Sequence, residues 1–129
     1  MEPILFVDTF RVRDDKLEEL KQAAKGIAEL VEAQEPQILA YEIFIDDEER
    51  TMTGVQMHPD SASVATHMAI AGPHFGGIMA CLEGGGSMAV LGSPSDQIRE
   101  QMTQMAASMG VSITFRPLTA GFARLAGAS

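Results

Sequence analysis

The sequence is short of several residue types, and each shortage excludes something. It holds one cysteine, Cys81, so an intramolecular disulfide is excluded, which fits a reducing cytoplasm. Basic residues are scarce: 9 Lys and Arg against 18 Asp and Glu give a net charge of -9. Nucleic acid and anionic membranes bind basic faces, so we expect neither as a partner. Tryptophan and asparagine are missing altogether, whereas methionine occurs nine times.

Long apolar runs are missing too. No stretch approaches the roughly 18 apolar residues that a membrane span requires. The opening residues M-E-P-I-L-F-V-D carry no basic region, so we expect no signal peptide and a cytoplasmic location. With 129 residues, of which 46% are hydrophobic and 21% charged, the chain is long enough for one domain, residues 1–129, with its own core.

Apolar periodicity predicts the order strand, helix, strand, strand, helix, strand. The predicted strands are Ile4–Val12, Ile38–Ile45, Thr51–His58 and Ser87–Leu91. The predicted helices run from Asp14-Asp15 to about Gln34, and from Asp60 or Ser61 to the break at Gly72-Pro73. This order is typical of an α+β fold with a ferredoxin-like split βαβ antiparallel sheet and helices on one face.

Further elements are predicted beyond this unit. A short segment, 74–82, follows the Gly72-Pro73 break. An extra helix should begin after Ser93 or Ser95 and end near Met109, before Gly110. Segments 111–115 and 122–125 are predicted as closing strands.

The first two strands are apolar on both faces. Helices cover one face of such a sheet, so the other face should be polar unless something covers it. A second copy of the same sheet is the simplest cover, which predicts a homodimer. Asp8 and Glu42 each interrupt an apolar face. We interpret them as members of an ion pair at that interface, with Arg11, Arg13, Arg116 or Arg124 as the partner.

All three histidines, His58, His67 and His74, fall within Met57–Phe75. Histidine carries protons near neutral pH and also binds metals. Seven residues separate His67 from His74, about 10 Å along an unbroken helix, too far for both to bind one metal. No H-x-x-x-H or C-x-x-C spacing is present, so we predict no metal site.

Several segments together resemble the antibiotic biosynthesis monooxygenase family. They are D-D-K-L-E-E-L, A-Q-E-P-Q-I-L-A-Y-E-I-F, M-H-P-D-S-A-S-V-A-T-H-M and P-H-F, all within residues 3–82. The E-P-x-x-x-x-Y-E pattern with a downstream histidine, here His67, is the most specific part. The resemblance implies a dimeric α+β barrel of ferredoxin-like subunits.

The resemblance also implies a function: a cofactor-independent monooxygenase acting on a small aromatic or quinol substrate. His67 would be the catalytic, proton-handling residue, with His58, His74, Tyr41 and Phe75 near a small apolar or aromatic ligand in a Met-lined pocket. Family members generally use a tryptophan and an asparagine in the pocket, and this chain has neither. Two alternatives therefore stay open: a non-catalytic binding or structural module of the same fold, and a haem-binding or haem-degrading protein.

Overall fold

The structure is a computed structural model that describes residues 2–124. Five strands form its sheet: β1 (Ile4–Arg11), β2 (Ala40–Asp46), β3 (Thr51–His58), β4 (Ser87–Leu91) and β5 (Ser112–Arg116). Four helices accompany them: α1 (Leu17–Gln34), α2 (Ser61–Ala71), α3 (Gly76–Met79) and α4 (Asp96–Met109). A 3-10 turn at Gly72–His74 joins α2 to α3.

The strand order across the sheet is β2-β3-β1-β4-β5. The first four strands pair antiparallel, which confirms the predicted split βαβ arrangement. β5, the extra C-terminal strand, makes the sheet mixed, because it pairs parallel to β4. The reason is α4, which returns the chain to the starting end of β4 before β5 begins, as a parallel connection requires.

The helices begin and end where local chemistry favours it. The apolar stripe of α1 buries Leu20, Ala24, Ile27 and Val31, at the spacing of one helical face. The Asp60 side chain caps α2 by accepting a hydrogen bond from the Ser63 amide at 2.9 Å. α4 ends at Gly110, whose φ of 69° is the left-handed conformation that glycine adopts without strain.

The two faces of the sheet differ in what covers them. Ile4, Phe6 and Phe10 of β1, with Val12 just after it, are buried on the face that packs against the helices. The strand pairing shows which residues share the opposite face: Leu5, Val7, Val55, Met57 and Ala89. We call these five residues the open face. They are partly exposed, and on neighbouring β2 the Phe44 side chain is 53% exposed.

Three predicted elements differ from the structure. Segment 74–82 is not a continuous helix, because the 3-10 turn and the short α3 divide it. Residues 122–124 form no strand, and Leu125 lies outside the described residues. β2 begins at Ala40 instead of Ile38, because Glu35–Leu39 turn the chain after α1.

Candidate functional site

A cavity of about 360 Å³ lies between the helix-covered face of the sheet and helices α2, α3 and α4. Its walls are mostly apolar, with Phe6, Phe10 and Phe75 among them. Six of the nine methionines also line it: Met68, Met79, Met88, Met102, Met105 and Met109. Methionine is flexible and polarisable, so this wall can adapt to the shape of a ligand. The size and lining are typical of a small-molecule site.

His67 of α2 lines this cavity and is held by Glu35, which follows α1. The His67 Nδ1 atom lies 2.9 Å and 3.0 Å from the two carboxylate oxygens of Glu35. The Glu35 side chain is fully buried, while that of His67 is 12% exposed. A carboxylate accepts and does not donate, so Nδ1 carries a proton, and in the neutral ring Nε2 presents its lone pair. His67 Nε2 makes no hydrogen bond within the described residues, so it is free to take a proton from a ligand.

Glu35 was not among the site residues predicted from the sequence, although a signal was available. The buried stripe of α1 includes Ile27 and Val31, and one further step of four residues reaches Glu35. A carboxylate on the buried side of a helix end needs a partner. Its partners are His67 and the Gln37 amide, which donates a hydrogen bond at 3.4 Å.

His58, at the end of β3, lies behind His67 and is completely buried. Its Nε2 donates to the Gln56 side-chain oxygen at 3.0 Å, and its Nδ1 accepts from the Ser63 hydroxyl at 2.7 Å. Burial, with a smaller contribution from the charge of His67, lowers the pKa of His58 to about 4. His58 is therefore neutral at pH 7. It supports His67, with 5.6 Å between ring centroids, and orients Gln56, whose side chain lines the cavity.

The other predicted pocket residues lie in different places. Phe75 lines the cavity. The Tyr41 ring packs against the His67 ring at 5.3 Å between centroids and borders a smaller neighbouring pocket. The prediction that His74 lies near the ligand is corrected: this residue is exposed in the 3-10 turn and is absent from the cavity lining. The turn that begins at Gly72 separates it from the face of α2 that carries His67.

The interpretation of Asp8 as a member of an interface ion pair is also corrected, because Asp8 lies on the helix-covered face of the sheet. The register pairs Asp8 with Gly54 and so directs it to the helix-covered face, whereas Glu42 pairs with Val55 on the other face. Arg11 pairs with Glu83 instead. Asp8 is 7% exposed and lines the cavity, and its Oδ1 has no hydrogen-bond partner within the described residues.

Burial changes the acidity of two groups at this end of the cavity. It raises the pKa of Asp8 to about 7, so the carboxyl is protonated in a large fraction of molecules at neutral pH. Burial, with the charges of Asp8 and Glu35, raises the pKa of Tyr41 above its usual range, so the phenol stays neutral. The cavity therefore combines a histidine that can accept a proton with a carboxyl whose pKa is about 7.

Residues 2–124 lack two other kinds of feature. No group of three or more His, Cys, Asp or Glu side chains there is arranged to hold a metal ion. None of the helices in that range has the length and apolar character needed to cross a membrane.

No family model and no curated protein matches the sequence. Solved structures do match. MupZ from Pseudomonas fluorescens is 14% identical with a TM-score of 0.71, and the match covers 96% of each chain. An antibiotic biosynthesis monooxygenase is 18% identical with a TM-score of 0.61, covering 71% of this chain and 99% of its own. A conserved protein from Methanosarcina mazei is 19% identical with a TM-score of 0.61, covering 70% and 91%.

These likenesses establish the fold. The resemblance inferred from the sequence is confirmed at that level, since proteins named as antibiotic biosynthesis monooxygenases share the α+β architecture. The two shorter matches leave more than a quarter of this chain uncovered, whereas the match to MupZ spans nearly all of it. A shared fold does not determine a reaction, so the function has to be argued from the cavity.

Proposed function

We propose that the chain is a cofactor-independent monooxygenase that acts on a small aromatic or quinol substrate, with His67 as the general base. The observation that carries the proposal is the Glu35–His67 pair at the wall of an apolar cavity. Glu35 fixes the ring so that Nε2 is the basic atom and stabilises the imidazolium that forms when it takes a proton. The monooxygenase-like fold neighbours support the same class of reaction.

The proposed reaction begins with removal of a proton from an electron-rich ring system. Anthrone is a suitable test substrate, because its enolate reacts directly with O2. One oxygen atom becomes the new carbonyl of anthraquinone and the other leaves as water, so no external reductant is needed. The aromatic and methionine side chains of the cavity would hold such a ring and exclude bulk water, which strengthens the electrostatic interactions within.

The active unit is proposed to be a homodimer, joined through the open face. That face presents Val7, Val55 and Met57 with no helix over them. Sedimentation should give about twice the chain mass of 13.8 kDa. A Val55→Lys variant should sediment as a single chain, because a buried unpaired ammonium opposes association. A wild-type monomer at micromolar concentration would contradict this part of the proposal.

The test of function is oxygen consumption with anthrone and a panel of hydroquinones, in the presence of a metal chelator. Loss of the base in His67→Ala should lower kcat at least 10²-fold, the usual contribution of general base catalysis. His74→Ala is the matched control, because that histidine is exposed and lies outside the cavity; it should keep the wild-type rate. Equal rates for His67→Ala and wild type would remove His67 from the mechanism.

The same samples separate the alternatives. Ligand binding without oxygen consumption would favour the non-catalytic binding module. A Soret band on titration with haemin, lost in His67→Ala, would favour the haem-binding alternative.

A further inference from the structure

Asp8 is a buried carboxyl without a protein partner. Its Oδ1 is the one buried side-chain oxygen or nitrogen in the described residues that lacks a hydrogen bond. Burying such a group without a partner costs stability, so an unpartnered carboxyl inside a fold suggests a partner that the chain itself does not supply. Asp8 lines the cavity beside Phe6 and Phe10, so a ligand bound there would be in position to supply that partner.

The strand opposite leaves space for the carboxyl. Gly54 faces Asp8 across the β1–β3 pair, and a Cβ atom at position 54 would lie 3.2 Å from Asp8 Oδ2. That separation is tighter than ordinary packing, so even a methyl group at position 54 would require the carboxyl to shift by a few tenths of an ångström. Glycine inside a strand weakens the sheet, and here it permits close approach to the carboxyl.

We propose that Asp8 is a second catalytic residue of the cavity, a proton donor that binds an oxygen atom of the ligand and protonates it during the reaction. The ligand it selects is an aromatic compound with an acceptor oxygen, such as a ring carbonyl. Asp8 and His67 both line the cavity but lie on different elements, β1 and α2, so they can reach different atoms of one ligand. This inference rests on the proposed function for its catalytic part and stands independently for its binding part.

With anthrone the protons balance over one turnover. His67 takes the first C–H proton while Asp8 protonates the carbonyl oxygen, which gives the enol. O2 adds to the enol carbon, Asp8 takes back its proton as the carbonyl re-forms, and the resulting peroxide anion takes the proton held by His67 to give a hydroperoxide. His67 then removes the second C–H proton as the O–O bond breaks, and the departing hydroxide takes that proton from His67. Anthraquinone and water form, and both residues return to their starting states.

Few other titratable groups face Asp8. From β2 there are Tyr41 and the exposed Glu42, which line the smaller pocket together with Asp8, and from α2 there is His67. The neighbouring β3 contributes Gly54 and Gln56, neither of which titrates. The cavity-lining side chains from β4, α3 and α4 are methionines. A variant of Asp8 that retains these groups therefore isolates the contribution of the carboxyl.

The binding test uses 9-fluorenone, an aromatic ketone with one acceptor oxygen and no ionisable group. Because only protonated Asp8 can donate to the carbonyl, wild-type affinity should fall about tenfold between pH 6 and pH 8, as expected for a carboxyl that titrates near pH 7. Asp8→Asn retains a donor that does not titrate, so its affinity should be the same at both pH values. Asp8→Leu should bind weakly at both. Asp15→Asn, an exposed aspartate, is the matched control and should behave as wild type.

The catalytic test uses oxygen consumption with anthrone. Asp8→Asn should lower kcat about 10²-fold or more while leaving KM within a few-fold. The wild-type rate should fall above pH 7, where Asp8 loses its proton, and this fall should be absent from the variant. Wild-type pH dependence of fluorenone binding in Asp8→Asn would overturn the binding inference, and an unchanged kcat would overturn the catalytic one. If the wild type binds fluorenone as described but consumes no oxygen, the proposed function fails and the assignment of Asp8 as a ligand donor stands.

Discussion

The stability of the fold should depend on pH through Asp8, because this carboxyl is buried without a protein partner. Its pKa is about 7 in the folded protein and 3.8 in an exposed chain, so the folded state binds the proton more tightly. The contribution of Asp8 to stability is therefore largest below pH 4 and falls as the pH rises towards 7. Between pH 5 and pH 8 the free energy of unfolding should drop by about 3 kcal/mol through this group alone, at 1.36 kcal/mol for each pH unit.

His58 acts in the opposite direction. Its pKa is about 4 when folded and 6.5 when exposed, so the unfolded chain binds the proton more tightly. Its contribution is present above pH 6.5 and is lost as the pH falls towards 4. Between pH 5 and pH 8 it should add about 2 kcal/mol. The two effects nearly cancel, so the wild-type profile by itself says little, and a variant is needed to separate them.

Asp8→Asn separates them, because it removes the carboxyl and leaves His58 in place. Urea unfolding at pH 5 and pH 8 gives the difference in stability between variant and wild type at each pH. That difference should grow in favour of the variant by about 3 kcal/mol between pH 5 and pH 8. Asp15→Asn, at an exposed position, should show no such growth. A difference that stays constant within 0.5 kcal/mol, roughly the usual error of such comparisons, would refute the burial argument for Asp8.

Two further predictions concern the groups that hold the site in place. Glu35→Gln should lower kcat with anthrone by about 10²-fold, because a neutral amide neither fixes the His67 tautomer nor stabilises the imidazolium. Glu32→Gln, at an exposed position on α1, is the control. A rate for Glu35→Gln within twofold of wild type would remove Glu35 from the mechanism. Gly54→Ala should weaken fluorenone binding at pH 6 at least several-fold, since the new methyl group displaces the Asp8 carboxyl; unchanged affinity would mean that the carboxyl has room elsewhere.

Much of the fold followed from local patterns. The 3–4 spacing on α1 permits one buried face, and the structure has it. The alternation on β1 separates two faces, of which the structure buries the one that carries Ile4, Phe6 and Phe10. The parallel pairing of β5 did not follow, because strand direction depends on the path of α4 over the sheet and not on the residues of β5. The division of segment 74–82 could not be predicted either, because a Gly-Pro pair allows the chain to break or to turn tightly, and the sequence does not say which.

The site was harder to predict than the fold. His67 could be identified as a candidate from its block of sequence, but Glu35 is 32 residues away and meets it only through tertiary packing. Asp8 was visible as an interruption of an apolar face, and the error was in the choice of face. Whether a strand residue points to the helices or away depends on register, and the register places Asp8 opposite Gly54 in the cavity.

The most direct test of the central claim is a turnover of anthrone under 18O2 with chelator present. The proposed mechanism predicts anthraquinone carrying one 18O atom, one O2 consumed for each product formed, and loss of the enzymatic rate in His67→Ala but not in His74→Ala. Product without label, or labelled product formed equally fast by His67→Ala, would contradict it.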